Sequence, residues 1–82
     1  MKISIITPAY NSAKTIRKTI ESIRSQTYKE IEHIVVDGAS SDETVRIASE
    51  YKTENMVILS EPDTGLYDAI NKGMSLASGE IV

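Results

Sequence analysis

"VVDGASSDET", Val35–Thr44, decides how this chain folds. An apolar run stops on an Asp-Gly pair and passes into small hydroxyl and acidic residues. Asp-Gly is a strong two-residue hairpin signal, but a hairpin needs a second strand-like run directly after the turn. The residues that follow, "SSDETVRIASEYK", read instead as the start of a helix. The hairpin reading fails. What remains is a parallel strand whose carboxyl end opens into a loop, the edge at which open α/β sheets bind their ligands.

The same alternation extends in both directions. "KISIIT", Lys2–Thr7, is β-branched and apolar on nearly every residue, which suits a strand covered on both faces. Pro8 lacks a backbone donor and is expected to end it. Asn11 or Ser12 caps a helix running to about Gln26, with Ile16, Ile20 and Ile23 along one face. "IEHIVVD", Ile31–Asp37, is the second strand. Ser40 and Glu43 have the spacing of a capping box, opening a helix to about Lys52 with Val45 and Ala48 on its apolar side. "NMVILS", Asn55–Ser60, is the third strand. Pro62 and Gly65 punctuate a loop before a third helix, roughly Gly65 to Ser78, striped by Leu66, Ile70, Met74 and Ala77. Gly79 stands where a helix C-terminal glycine belongs. "EIV", Glu80–Val82, begins a fourth strand. The order β-α-β-α-β-α-β implies an α/β fold with one parallel sheet and right-handed crossovers. Buried parallel strands typically run about five or six residues. The chain is therefore expected to be the front part of a larger domain, truncated in its fourth strand.

The bulk numbers set bounds on function. A chain of 82 residues makes one domain at most. Net charge is −3, without any block of like charge, which argues against nucleic acid as a partner. With no cysteine there is neither a disulfide framework nor a thiolate metal site. No apolar run is long enough to span a bilayer. "MKISIITPAY" lacks the features of a signal peptide, so a cytoplasmic location is expected.

Three loops leave the strand ends on one edge of such a sheet: Thr7–Ser12, Asp37–Glu43 and Ser60–Asp68. They bring together Tyr10, whose ring can stack on a base or sugar, and the carboxylates Asp37, Asp42, Asp63 and Asp68. No phosphate-binding glycine motif of either common type is present. Each residue also has a plainer role. Tyr10 fits a half-buried loop aromatic, and Asp37 an Asx turn. Asp42 and Glu43 read as first-turn residues favoured by the helix dipole, and Asp63 as a turn residue beside Pro62. Asp68 and Lys72 fit a solvated helix face. His33, with no second histidine, carries no functional weight.

"SIITPAYNSAKTIRKTIESIRSQTYKEIEHIVVDGASSDET" resembles the opening of family 2 glycosyltransferases, and "EPDTGLYDAINKGMSLASGEIV" resembles their next block. Four ordered blocks at matching spacings span the whole chain. The resemblance implies a Rossmann-like sheet of the GT-A type, with residues 1–82 forming the incomplete N-terminal nucleotide-sugar-binding part. It implies that Pro8 and Tyr10 border the nucleotide base, that Asp37, with Gly38 beside it, meets the base or ribose, and that Asp68 lines the donor pocket. Two departures stand out: many members carry Asp-Asp where this chain has Asp37-Gly38, and Ala-Arg-Asn where it has Ala69-Ile70-Asn71. "GLYDAINKG" resembles a subgroup found among bacterial polysaccharide and cell-surface glycan enzymes.

The resemblance further implies an inverting transfer from a nucleotide-sugar, a UDP-sugar foremost, to a glycan or lipid-linked acceptor at the inner face of the membrane. Mg²⁺ or Mn²⁺ would be held through an Asp-x-Asp motif that these 82 residues lack. No catalytic or metal-binding residue is expected within the chain, and the chain alone is expected to be inactive. Two other classes compete: a non-catalytic nucleotide-binding module, and a structural fragment that self-associates through an exposed sheet edge.

Overall fold

The computed structural model describes residues 2–26 and 30–81. Its elements are β1 (Ile3–Ala9), α1 (Ile16–Arg24), β2 (Ile31–Asp37), α2 (Thr44–Glu50), β3 (Met56–Ser60), α3 (Leu66–Leu76) and β4 (Glu80–Ile81). The four strands form one parallel sheet in the order β3-β2-β1-β4. Val82, expected in the fourth strand, lies outside the described residues.

Strand β2 explains why the sheet needs helices on both faces. Its residues alternate sides, and Ile34, Val35 and Val36 are all fully buried. Val35 packs with Ile16 and Ile20 of α1, Ile47 and Ala48 of α2, and Met56. Ile34 and Val36 pack with Ala69 of α3 on the opposite face. Helices α1 and α2 thus cover one face, and α3 covers the other.

Four local expectations are corrected. Strand β1 does not stop at Pro8 but continues to Ala9, with Pro8 opposite Val36. The Ile3 N–H donates to Glu30 O on the β2 side, and Ala9 O accepts the Gly38 N–H there. By alternation the Pro8 nitrogen faces away from β2. On that side the described pairing with β4 reaches only Ile3 and Ser4, so the missing donor breaks no ladder bond.

The Ser40–Glu43 capping box does not form, and α2 begins with no side-chain cap. Ser40 donates its hydroxyl to Asp37 instead, while Asp42 accepts the Thr44 N–H at 3.0 Å. The third correction concerns α3. Ala69 and Gly73 are buried against the sheet, whereas Leu66 and Met74 are exposed. A Cβ on Gly73 would lie 2.5 Å from Ile6 Cγ2, so small residues let this helix seat closely on β1. Adjacent helical residues point about 100° apart, and the small stripe outcompetes the large one for the sheet.

Gly79 does not cap α3, whose cap is Ala77 in an extended conformation. It is small because a Cβ would meet Lys2 O at 2.6 Å. Its N–H donates to the buried Ser4 hydroxyl at 3.0 Å, and Ser4 donates to Glu32 at 2.9 Å. Glu32 also accepts the Ser78 N–H at 3.0 Å, and this bond holds its carboxyl below the usual range. The network seats β4 beside β1.

Candidate functional site

The loops after β1 and β2 are joined by hydrogen bonds. Asn11 adopts a left-handed conformation, φ 46°, which its short polar side chain tolerates. Its N–H donates to Ser40 Oγ at 2.8 Å, and its Oδ1 accepts the Ser41 N–H at 2.8 Å. The Ser12 N–H donates to Thr44 Oγ1 at 2.7 Å, and the Ala13 N–H to Asp42 Oδ2 at 3.2 Å. Asp42 is held below the usual carboxylate range, chiefly by its bond from the Thr44 hydroxyl. It fastens the loop from ahead of α2 rather than standing in the first turn of that helix, where the sequence had placed it.

Asp37 closes β2 and sits at the centre of this arrangement with 0% exposure. Its Oδ2 accepts the Ser40 N–H and the Ser60 hydroxyl, each at 2.8 Å, and its Oδ1 accepts the Ser40 hydroxyl. One carboxylate therefore ties the end of β2 to its own loop and to the end of β3.

Above it, a cleft of about 320 Å³ opens between the end of β1 and the start of α3. Pro8, Ala9 and Tyr10 line it from the end of β1, and Asp63, Gly65, Leu66 and Ala69 from the loop after β3 and from α3. Tyr10 is 64% exposed, leaving its ring free. Asp63 accepts the Gly65 N–H at 3.1 Å through Oδ1, while its Oδ2 faces Gly38. The cleft thus offers a ring that can stack on a planar group and a carboxylate that can accept from base N–H or sugar hydroxyl groups. Among the described residues no lysine or arginine lines it. Among the described residues no group of three His, Asp or Glu side chains is placed to hold a metal ion.

A larger cavity, about 480 Å³, lies at the other edge of the sheet beside Ile31 and Met56, where β2 and β3 begin. Arg24, His33 and Asn55 line it. His33 is nearly buried and hydrogen-bonded to Thr7 Oγ1 through Nε2 at 2.7 Å. Burial, with the Arg24 charge second, pushes its pKa down to about 4.

Of the five expected site residues, Pro8 and Tyr10 line the cleft. Gly38 stands behind it against Asp63, and Asp37 is enclosed beneath. Asp68 is turned to other partners: it accepts the Thr64 N–H at 3.0 Å and pairs with Lys72 at 3.3 Å. The Thr64 N–H is the main cause of its lowered pKa. Asp63, one of the loop carboxylates at this edge that its position beside Pro62 marked as a turn residue, belongs to the cleft. The signal available in the sequence was Gly38, which leaves the Asp63 carboxylate its space.

Comparison with known proteins places the fold. The Glycosyl transferase family 2 profile matches residues 4–82. A glycosyltransferase of Mycobacterium tuberculosis is 41% identical over 81 residues, covering 98% of this chain and 31% of that protein. A PGL/p-HBAD biosynthesis glycosyltransferase of Mycobacterium bovis is 40% identical over 79 residues, covering 93% of this chain and 31% of that protein. The chain thus spans about a third of the length of these relatives. Among solved structures, S. aureus TarS in complex with UDP-GlcNAc superposes with a TM-score of 0.92 at 32% identity, over 100% of this chain and 25% of that one. The mannosyltransferase PcManGT from Pyrobaculum calidifontis, in complex with GDP-Man and Mn²⁺, gives 0.89 at 27% identity over 98% of this chain and 26% of that one. The α/β sheet is that of GT-A glycosyltransferases, and the chain belongs to glycosyl transferase family 2.

Proposed function

We propose that this chain supplies the nucleotide half of the donor site in a family 2 glycosyltransferase, acting in bacterial polysaccharide or cell-surface glycan synthesis. The observation that carries the reading is the cleft itself. An exposed tyrosine ring and an aspartate line one cleft at the carboxyl edge of a parallel sheet, where such folds take nucleotides. Tyr10 stacks on the base, Pro8 shapes the floor beside it, and Asp63 accepts from base or ribose. Asp37 and Gly38 act from behind, Asp37 by fixing the loops and Gly38 by making room for Asp63. Asp68 acts on the loop that carries Asp63.

The donor is a nucleoside-diphosphate sugar, with UDP as the first candidate; TarS was solved with UDP-GlcNAc and PcManGT with GDP-Man. The acceptor is a glycan or lipid-linked hydroxyl, attacked with inversion, at the inner face of the membrane. No described helix is long and apolar enough to cross one. PcManGT carries Mn²⁺, but the carboxylates described here do not assemble a metal site. In this reading Mg²⁺ or Mn²⁺ is held by an Asp-x-Asp motif outside the 82 residues, and no step of the transfer is assigned to the chain's own side chains.

Amide NMR spectra of the chain, titrated with UDP, GDP, dTDP and CDP with and without Mg²⁺ or Mn²⁺, test the proposal. Selective shifts at Tyr10, Gly38, Asp63 and Gly65 with one nucleotide are expected. A well-dispersed spectrum that none of the four perturbs would count against nucleotide binding by this part.

A second reading, self-association, has its own observation. Leu66 at 59%, Tyr67 at 84% and Met74 at 49% leave apolar area exposed along α3, and exposed sheet edges invite pairing. A monomer in sedimentation velocity at high concentration would exclude it.

A further inference from the structure

The outer wall of the cleft is a loop with no regular structure of its own. Residues 61–65 run from the end of β3 to the first turn of α3 and carry both Asp63 and Gly65. Glu61 N–H is the link back to the sheet, donating to Asp37 O at 3.0 Å. The rest of the loop is held from α3. Lys72, two turns into that helix, donates to Pro62 O at 2.8 Å and pairs with Glu61 at 3.1 Å and Asp68 at 3.3 Å. Asp68, one turn earlier, accepts the Thr64 N–H. A single ammonium therefore joins the helix to the loop at Glu61 and Pro62 directly, and at Thr64 through Asp68. Its side chain is only 21% exposed. An ammonium has three donors, and here three acceptors face it.

We propose that Lys72 is the positioning residue of the cleft: it latches loop 61–65 onto α3, so that Asp63 and Gly65 are held in the cleft that Tyr10 also lines. This rests on the donor-site reading for its functional consequence, but not for the latch. A surface ion pair alone contributes little. The difference here is a bond to a backbone carbonyl within a connected set, in which charge-assisted hydrogen bonds fix a segment of main chain. Asp68 then serves the site at one remove, by orienting Lys72 and holding Thr64, rather than by touching the ligand. No covalent step is involved.

Lys72→Met keeps the aliphatic stem and removes all three donors, and Lys72→Arg restores the charge. Amide hydrogen exchange of the whole 82-residue chain is measured for wild type and both variants, with UDP and GDP titrations alongside. In Lys72→Met, exchange at Thr64 and Gly65 is expected to accelerate about tenfold, as expected for loss of a charge-assisted hydrogen bond, while Val35 and Val36 stay protected. Lys72→Arg is expected to recover most of that protection. High salt is expected to loosen the wild-type loop but to leave Lys72→Met unchanged, because screening acts only where the ion pairs exist. The nucleotide that binds wild type is expected to bind Lys72→Met several-fold more weakly at an unchanged unfolding midpoint.

Unchanged exchange at Thr64 and Gly65 in Lys72→Met overturns the latch whatever the nucleotides do. Faster exchange with undiminished affinity overturns its role at the cleft. If wild type binds neither nucleotide, the donor-site reading fails, and the exchange comparison alone upholds or overturns the latch. Should Lys72→Met unfold, Asp68→Asn probes the same link from its other end, with faster exchange confined to Thr64 and Gly65 as the supporting result.

Discussion

Asp63 Oδ2 lies directly over Gly38: a Cβ on that glycine would stand 2.9 Å from it. The first residue after β2 and the carboxylate after β3 thus share one small volume beside the cleft. Gly38→Ala is expected to push the Asp63 carboxylate aside. Displacing one hydrogen-bonding group costs about 0.5–1.5 kcal/mol, or roughly 2- to 10-fold in nucleotide affinity. Isothermal titration against the nucleotide that binds wild type checks this, and an affinity equal to wild type would separate Asp63 from recognition. Gly38→Asp sets two carboxylates side by side and is expected to weaken binding further.

Asp37 has a different prediction. Its two oxygens receive three hydrogen bonds from Ser40 and Ser60 with no exposure to solvent. Asp37→Asn replaces one acceptor oxygen with a donor that meets donors already there. A buried group left unsatisfied costs about 1–3 kcal/mol, more when charge is involved, so the urea midpoint is expected to drop clearly. A midpoint within error of wild type would mean that the aspartate is held for its ligand alone.

Gly65 begins α3 with φ 130° and ψ −169°, a region that residues with a side chain rarely enter. Nothing lies within 4 Å of where its Cβ would be. Gly65→Ala therefore isolates backbone strain from steric conflict. A loss of about 1–3 kcal/mol in unfolding free energy is expected. A smaller loss accompanied by weaker protection of Thr64 would show the loop relaxing into another path.

His33 makes stability depend on pH. Burial and the Arg24 charge lower its pKa from 6.5 to about 4 in the folded chain, where Thr7 is its hydrogen-bond partner. The unfolded chain then binds the proton first as pH falls. Stability is expected to be full above pH 6.5, to decline between 6.5 and about 4, and to lose nothing more from this group below that. Glu32, Asp42 and Asp68, whose carboxyl pKa values are lowered, contribute their own losses only below the ordinary carboxylate range. Denaturant midpoints across pH 4–7 for wild type and His33→Asn separate the two. A slope that persists in the variant would assign it elsewhere.

Element order, the parallel sheet and membership of the family were legible in the chain itself. Each rests on local pattern: β-branched runs, helical spacing of Ile16 and Ile20, and the small acidic stretch after Val36. Such patterns depend on neighbours a few residues away, which a sequence displays directly. The edge that carries the cleft followed from the same order, and with it Tyr10, while Pro8 came from the resemblance.

Long-range contact decided the rest. Two stripes on α3 satisfied the same periodicity, and only the close approach of Gly73 to Ile6 selected Ala69 and Gly73 for the sheet. Ser40 had a plausible partner three residues on, yet the Asp37 carboxylate claimed its hydroxyl. Asp63 became a cleft residue because Gly38, 25 positions earlier, leaves its carboxylate room. Lys72 read as a surface charge until Pro62 O came within 2.8 Å of it. Apolar spacing determines which elements form. The partner of a polar group is set by which backbones the tertiary fold brings within hydrogen-bond reach, and that distance is written nowhere in the order of residues.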